Sequence, residues 1–183
     1  MNELIISHKR GLSNVEKVII YFFIYSFLGW LLEVIFAIYV ERTFVNRGFL
    51  FGPICPIYGF GALILIGSLR NVKGNKILKF IIAVIAFSVF EYIVSYILEI
   101  LFNQRWWDYS NDILNLNGRI SILYSLVWGI LGIFFTEKLH PFVRKKVKKL
   151  LSLISETTQK IIVYVLLGVF VIDEIFSILS HLS

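Results

Sequence analysis

Carboxylates inside long apolar runs are the residues of this sequence best suited to chemistry. Polar residues at helical spacing accompany them in three stripes: Ser26, Gly29 and Glu33; Glu91, Ser95 and Glu99; Glu174, Ser177 and His181. An acid that faces lipid costs about 2.5 to 3.5 kcal/mol at a helix centre, so such stripes are typical of a bundle interior or a wet cavity. The pattern predicts a polar cavity that binds a solute, an ion or a lipid headgroup.

Glu33 and Glu99 are the leading candidates for lining this cavity, and Glu91 lies deeper, near the middle of its apolar run. The centre of a bilayer penalises a charge most, so we expect Glu91 to be protonated or paired and to act as a coupling group. A structural alternative stays open for the other two acids. Glu33 with Arg47, and Glu99 with Arg119, would then be ion pairs that only lock the bundle.

Further candidates flank these acids in the sequence. Trp30, Asn46 and Arg47 complete the predicted cavity, and Asp108 and Arg119 stand at its rim. Trp30 also fits an aromatic belt at the level of the lipid headgroups, which is the commoner use of such residues.

The stretch 48–61 opens the second apolar run with Pro53, Pro56 and four glycines. Proline removes backbone donors, and glycine permits irregular backbone. This composition predicts a broken helix start that presents free N–H groups to a ligand, as in transporters. A close packing surface built on Gly48 and Gly52 explains it equally well.

Membrane-spanning helices are the elements that would position these residues. The 183-residue chain is 58% hydrophobic and has a mean hydropathy of +0.81, above the usage of soluble domains. A span needs about 20 apolar residues. Five runs approach that length: 18–40, 49–69, 77–102, 120–135 and 161–179. The sequence predicts an all-α integral membrane protein, with a single transmembrane domain over 1–183.

Lysine and arginine are distributed unevenly among the predicted loops. With the N-terminus inside, fourteen of the eighteen lie on the cytoplasmic side, and the others are Arg42, Arg47, Arg105 and Arg119. The positive-inside rule then predicts an N-in, C-out protein. The net charge of +6 reflects this topology and an attraction to the anionic inner leaflet, so no nucleic-acid partner is needed to explain it.

A basic segment, 141–154, follows the fourth apolar run. Its apolar residues share one helical face, and its lysines cover the other: the apolar set is Val143, Val147, Leu150, Leu151 and Ile154. We expect a cytoplasmic amphipathic helix that lies on the inner leaflet, with docking of a cytoplasmic partner as the alternative.

Two halves of the chain are similar in sequence. Residues 32–36 align with 98–102 at an offset of 66, and 58–59 align with 128–129 at an offset of 70. The similarity predicts a parallel two-helix repeat, helices one and two matching helices three and four, followed by a fifth helix.

Several kinds of site have no support in the sequence. Cys55 is the single cysteine, so one chain cannot form a thiolate metal cluster. The phosphate-binding run G-x-x-x-x-G-K-[ST] is absent, and we predict no catalytic residue and no cofactor. A bundle of this size leaves no room for a nucleotide-binding domain, so an ATPase would be a separate subunit.

Several of these motifs together resemble a known family. They are Gly29-Trp30-x-x-Glu33, the block from Asn46-Arg47-Gly48 to Gly59-Phe60-Gly61, Arg105-Trp106-x-Asp108-Tyr109-Ser110 and Asn117-Gly118-Arg119-Ile120. Over about residues 18–140 the chain resembles the bacterial membrane family described as "Putative ABC-transporter type IV" (CmpB-like permeases). The resemblance implies a bacterial inner-membrane protein that works with a separate ATPase.

These observations favour a permease component that binds a small solute or lipid headgroup in an outward-facing cavity, as a subunit or a small homo-oligomer. The runner-up is an enzyme that acts on a lipid or cell-wall precursor at the outer leaflet, because carboxylates can hold a divalent cation or act as acid and base. A regulatory or scaffolding membrane protein, with the basic helix as its contact, is a third interpretation.

Overall fold

The computed structural model describes residues 12–46 and 48–182. The helices in these two ranges are α1 (Asn14–Glu41), α2 (Pro56–Leu69), α3 (Lys76–Phe102), α4 (Ile122–Phe134), α5 (His140–Leu151) and α6 (Glu156–Leu182). A π-helical turn, Phe135–Leu139, joins α4 to α5, and β1 (Asn115–Leu116) pairs antiparallel with β2 (Ile120–Ser121).

Four helices are long and apolar enough to cross a membrane. They are α1, α3, α6 and the continuous helix Ile122–Leu151, which comprises α4, the π-turn and α5. The remaining predicted span, 49–69, corresponds to α2, which is apolar but has 14 residues. At 1.5 Å per residue α2 is about 21 Å long, shorter than a hydrocarbon core of about 30 Å. The all-helical membrane architecture is thus confirmed as four long helices and a shorter one.

The second predicted span begins later than expected. The sequence predicted a helix from residue 49, whereas α2 begins at Pro56. Proline is well suited to the first position of a helix, where its missing N–H leaves no bond unmade. Gly48 has a φ of 126°, which only glycine adopts easily, and Pro53 precedes the helix by three residues. These residues keep 48–55 out of the helix.

The fourth helix is longer than predicted, and the basic segment is its continuation. The sequence predicted a short span over 120–135 and a separate surface helix over 141–154, but one helix of 30 residues covers Ile122–Leu151. Pro141 has no N–H for the carbonyl group of Glu137. The π-turn just before it accommodates this missing bond without ending the helix.

The helices pack in two similar pairs. α1 packs mainly against α2, and α3 against α4, while α2 also contacts α3 and α6 lies against α1. Each pair approaches closely at a glycine: a Cβ on Gly59 would come within 2.8 Å of the carbonyl oxygen of Phe22, and one on Gly129 within 2.6 Å of Phe80 and Val84. Small residues at helix contacts are typical of membrane bundles.

Burial in the long helices runs opposite to that of a soluble protein. The buried residues of α3 are Ala83, Glu91 and Ser95, and those of α6 are Val163 and Ser177. Large apolar side chains of the same helices are exposed, as expected where lipid is the surrounding solvent. The polar stripes of α1 and α3, and Ser177 of α6, therefore face the interior of the bundle.

Two irregular connections reach deep into the bundle from one end. The first segment (42–46 and 48–55) joins α1 to α2, and the N–H of Cys55 donates to the carbonyl oxygen of Ser26 at 2.9 Å. Ser26 lies 15 residues before the last residue of α1, about 22 Å along the helix axis. The second segment (103–121) joins α3 to α4. We call this end of the bundle the segment end.

The opposite end of the bundle carries most of the basic residues, and we call it the basic end. There Tyr25 of α1 bonds His140 of α5, with 2.7 Å between Oη and Nδ1, and Lys79 of α3 bonds Glu137 of the π-turn at 3.0 Å. Val143 packs in the core with Tyr25. The outer face of α5 exposes five cationic residues: Arg144, Lys145, Lys146, Lys148 and Lys149.

Candidate functional site

Glu33 of α1 is held by the first turn of α2. The hydroxyl of Tyr58 donates a hydrogen bond to the Glu33 carboxylate. Gly29, one turn before Glu33, leaves the space that the Tyr58 ring occupies, since a Cβ at this position would overlap the ring. The predicted stripe of Gly29 and Glu33 is therefore the surface on which α2 begins.

Glu91 of α3 is the most enclosed acid of the predicted set, with 7% of its surface exposed. The hydroxyl of Tyr109, in the second segment, donates to Glu91 Oε1 at 3.0 Å. The indole of Trp128 in α4 lies beside the same carboxyl group. Neither Trp128 Nε1 nor Glu91 Oε2 makes a hydrogen bond of ordinary geometry.

Glu33 and Glu91 occupy matching positions in the two helix pairs. Tyr58 contacts Glu33 in the first pair, and Trp128 contacts Glu91 in the second pair. Trp128 follows Tyr58 by 70 residues in the sequence, and Glu91 follows Glu33 by 58. The contacts of Gly59 with Phe22 and of Gly129 with Phe80 follow the same two offsets. The structural repeat therefore pairs Glu33 with Glu91, whereas the sequence alignment at an offset of 66 had paired it with Glu99.

Aromatic side chains connect the two acids. The rings of Tyr58 and Trp128 meet edge to face with centroids 6.4 Å apart, and Phe87 stacks on Trp128 at 5.1 Å. Tyr109 stacks on Tyr124 of α4 at 4.7 Å. Four helices and the second segment thus converge on one interior cluster, which we call the two-acid cluster.

Glu99 has different surroundings from the other two acids. Its carboxylate lies 2.5 Å from Nη2 of Arg119 and 3.1 Å from Nε of Arg105. Arg119, 8% exposed, also donates to Ser95 Oγ at 3.2 Å and lies over the ring of Tyr96. This geometry is the ion pair that the structural interpretation of the sequence had proposed, and it anchors the second segment to α3.

Asp108, predicted at the rim of a cavity, lies at the exposed surface of the second segment. Its carboxylate accepts hydrogen bonds from the N–H and the hydroxyl of Ser110, at 2.9 and 2.5 Å, and lies 3.8 Å from Arg105. The bonds from Ser110 hold the pKa of Asp108 below its ordinary value, with a smaller contribution from the Arg105 charge.

The first segment brings together several other predicted residues. Trp30 Nε1 donates to Asn46 Oδ1 at 2.6 Å, and Asn46 Nδ2 donates to the carbonyl oxygen of Phe51 at 2.8 Å. Trp30 and Asn46 therefore fix the shape of this segment. Pro53 and Pro56 flank the start of α2, and Arg47 lies outside the described residues.

Asp173 of α6 is a functional candidate that the predicted site residues did not include. Its carboxylate accepts from the backbone N–H of Phe51 at 3.1 Å and of Gly52 at 2.9 Å. Ser177 and His181 contact the same segment, so the polar stripe on α6 is Asp173, Ser177 and His181 and does not include Glu174. The i, i+4, i+8 spacing of these three residues was the available signal.

The two N–H groups that a broken helix start would offer to a ligand are thus occupied by α6. An open, mostly apolar groove runs along this contact, lined by Phe51, Gly52, Val169, Ile172, Asp173 and Phe176. Within residues 12–46 and 48–182, no three His, Cys, Asp or Glu side chains come close enough together to hold a metal ion.

Comparison with known proteins gives one match. No curated protein and no solved structure matches the chain. The sequence model of one family matches residues 20–178, which is most of the chain and extends beyond the motifs that first suggested it. The protein therefore belongs to the family described as "Putative ABC-transporter type IV".

Proposed function

We propose that the protein is a permease component of the bacterial inner membrane, which binds a small solute or a lipid headgroup from the segment end. Family membership supports a role related to ABC transport. The observation that carries the proposal is the two-acid cluster: Glu33 and Glu91 take matching places in two helix pairs, each beneath an irregular segment. Irregular backbone at membrane depth is typical of transporter binding sites.

The residues of the cluster have separable tasks in this proposal. Glu33, with the Tyr58 hydroxyl, binds the polar group of the ligand. Trp30 and Asn46 shape the first segment, and Asp173 holds its N–H groups until a ligand competes for them. Glu99, Arg105 and Arg119 position the second segment, whose exposed Asp108 meets the ligand first.

The basic end provides the contact with other molecules. Five exposed cationic side chains on α5 suit the anionic lipid of the inner leaflet. The same face is where a separate ATPase subunit would dock, because α5 is continuous with the helix that carries Trp128. Assembly as a small homo-oligomer is the alternative to an ATPase partner.

A ligand screen tests the proposed site directly. The purified protein in lipid nanodiscs is heated with members of a panel of amino acids, small cations, sugars and phospholipid headgroups. We expect at least one class to raise the melting temperature of the wild type, and Glu33→Gln to abolish that shift. Glu156→Gln, which removes a surface ion pair with Lys160 at the other end, is the matched control.

Two results would count against the proposed site. A stabilising compound that acts equally on the wild type and Glu33→Gln would place its site elsewhere. A complete panel without any shift, together with intact folding of the wild type by circular dichroism, would favour the regulatory or scaffolding interpretation.

A further inference from the structure

Glu91 is buried without a counter-charge among the described residues. The polar groups beside its carboxyl group are the Tyr109 hydroxyl and the Trp128 indole, both neutral donors. Taking an isolated carboxylate out of water is costly, and a buried acid avoids this cost by binding a proton. The surroundings of Glu91 therefore favour its protonated form.

Cationic side chains are present elsewhere along the polar face of α3, although none pairs with Glu91 among the described residues. Glu99, two turns further along the stripe, is paired with both Arg105 and Arg119. Ser95 lies between the two acids on that stripe and accepts a hydrogen bond from Arg119. The Arg119 guanidinium is therefore held by Ser95 and Glu99. Arginine therefore neutralises Glu99, whereas for Glu91 the available way to neutralise the charge is to bind a proton.

Tyr109 connects Glu91 to the segment end. Its hydroxyl reaches Glu91, which lies 11 residues before the last residue of α3, about 16 Å along the axis. The neighbours of Tyr109 in the chain, Asp108 and Ser110, are exposed. Tyr109 itself is half-buried, so water has access to part of the side chain that contacts the enclosed carboxyl group.

We propose that Glu91 is a proton-binding site, and that Tyr109 exchanges its proton with water at the segment end. The inference rests on the proposed function only in taking this proton as the coupling ion for transport.

The exchange balances without any further reactant. When Glu91 is ionised, the Tyr109 O–H donates to Oε1. When Oε1 carries a proton, it donates to Tyr109 Oη instead, and Oε2, now the carbonyl oxygen, is free to accept from the indole N–H of Trp128. A proton moves inward when Tyr109 gives its hydrogen to Oε1 and takes one from a hydronium ion, which becomes water, so Tyr109 is neutral before and after the step.

Further titratable groups lie near the pair. They are Tyr124 of α4, Tyr58 of α2, and Asp112 in the second segment. Tyrosine ordinarily titrates near pH 10. Burial, and next the charge of Glu91, raise the pKa of Tyr109 above that value, so this residue keeps its own proton.

Infrared spectroscopy of the protein in nanodiscs tests the site without knowledge of a transported solute. We expect a protonated-carboxyl band at neutral pH that Glu91→Gln removes and that Glu99→Gln and Glu174→Gln retain. Tyr109→Phe should keep the band but slow its exchange in D2O severalfold. Circular dichroism is used to test whether each variant is folded.

Two results would overturn the inference: absence of the band from the wild type at neutral pH, or its persistence in Glu91→Gln. If Glu91→Gln fails to fold, the carboxyl band is titrated and its D2O exchange is measured in the wild type and in Tyr109→Phe. An unchanged exchange rate in Tyr109→Phe would exclude the relay. The proton site and the ligand site fail separately. A band that depends on Glu91 with no ligand shift would leave only the proton site, and the reverse result only the permease site.

Discussion

Glu99 and Glu91 share one face of α3 but hold the second segment in different ways. Two guanidinium groups fix the segment to Glu99 by charge, and an uncharged tyrosine hydroxyl fixes it to Glu91 by a hydrogen bond. Water still reaches 30% of the Glu99 side chain, so a charged pair there costs less desolvation than it would deeper in the bundle. The deeper contact avoids a charge, in keeping with the cost of burial.

The hydrogen bonds within the second segment predict how it responds to acid. Because Ser110 holds the pKa of Asp108 below its ordinary value, the stabilising effect is complete above about pH 3.9, the value of an unfolded Asp. It is lost as the pH falls through the lower folded value. We expect the protection factors of the amides in 103–121, that is, their exchange relative to the intrinsic rate at each pH, to fall below about pH 3.9, near the reference value for Asp.

The variant Asp108→Asn tests whether Asp108 causes this response to acid. The variant removes the titrating group, so its segment should exchange faster at pH 6 and should change less between pH 5 and pH 2. The same acid response in both proteins would mean that another carboxylate, such as Glu99, controls the segment.

At the scale of helices, close approach at two glycines sets the geometry of both pairs. Gly59 brings α2 onto α1, and Gly129 brings α4 onto α3. The resulting register determines which acid meets which aromatic residue, and so it builds the two-acid cluster.

Alanine substitutions test this register. Gly59→Ala and Gly129→Ala should each destabilise the protein by about 1–3 kcal/mol, the usual cost of overpacking a tight contact. Gly67 and Gly168 have open space at the Cβ position, so Gly67→Ala and Gly168→Ala should be neutral or stabilise by up to about 1 kcal/mol. Unfolding in mixed detergent measures all four. Equal effects at the packed and the open positions would contradict the role of the close contacts.

Sequence patterns predicted the long helices well, because runs of about 20 apolar residues have few alternatives in lipid. They also predicted that the stripes of Glu33, Glu91 and Glu99 face inward. The pairing of Glu33 with Glu91 was not predictable, since similar Leu, Ile and Phe residues allow several alignments and only packing at Gly59 and Gly129 selects one. The continuity of α4 and α5 was missed because Pro141 is usually a helix stop.

At the scale of the whole molecule, polarity divides the bundle into two unlike ends. The basic end carries the exposed cations of α5, and the segment end carries both irregular segments. The uneven distribution of Lys and Arg predicts that the basic end is cytoplasmic and the segment end is outside.

Labelling of single cysteines in whole cells tests this orientation. In a Cys55→Ala background, a membrane-impermeant maleimide should label Asp108→Cys in intact cells and Lys145→Cys only after the cells are opened. Both native side chains are exposed, so failure of both to react would indicate loss of the protein and not its orientation. Reaction of Lys145→Cys alone in intact cells would reverse the proposed sidedness.

The continuous helix Ile122–Leu151 has a mechanical consequence. At 1.5 Å per residue it is about 45 Å long, and it begins at the second segment and ends among the lysines of α5. Because the helix is continuous, we expect a displacement of one end to be transmitted to the other. The π-turn at Phe135–Leu139 interrupts the regular α-helical hydrogen bonding beside Lys79 and His140, so we expect any bending of this helix to concentrate there.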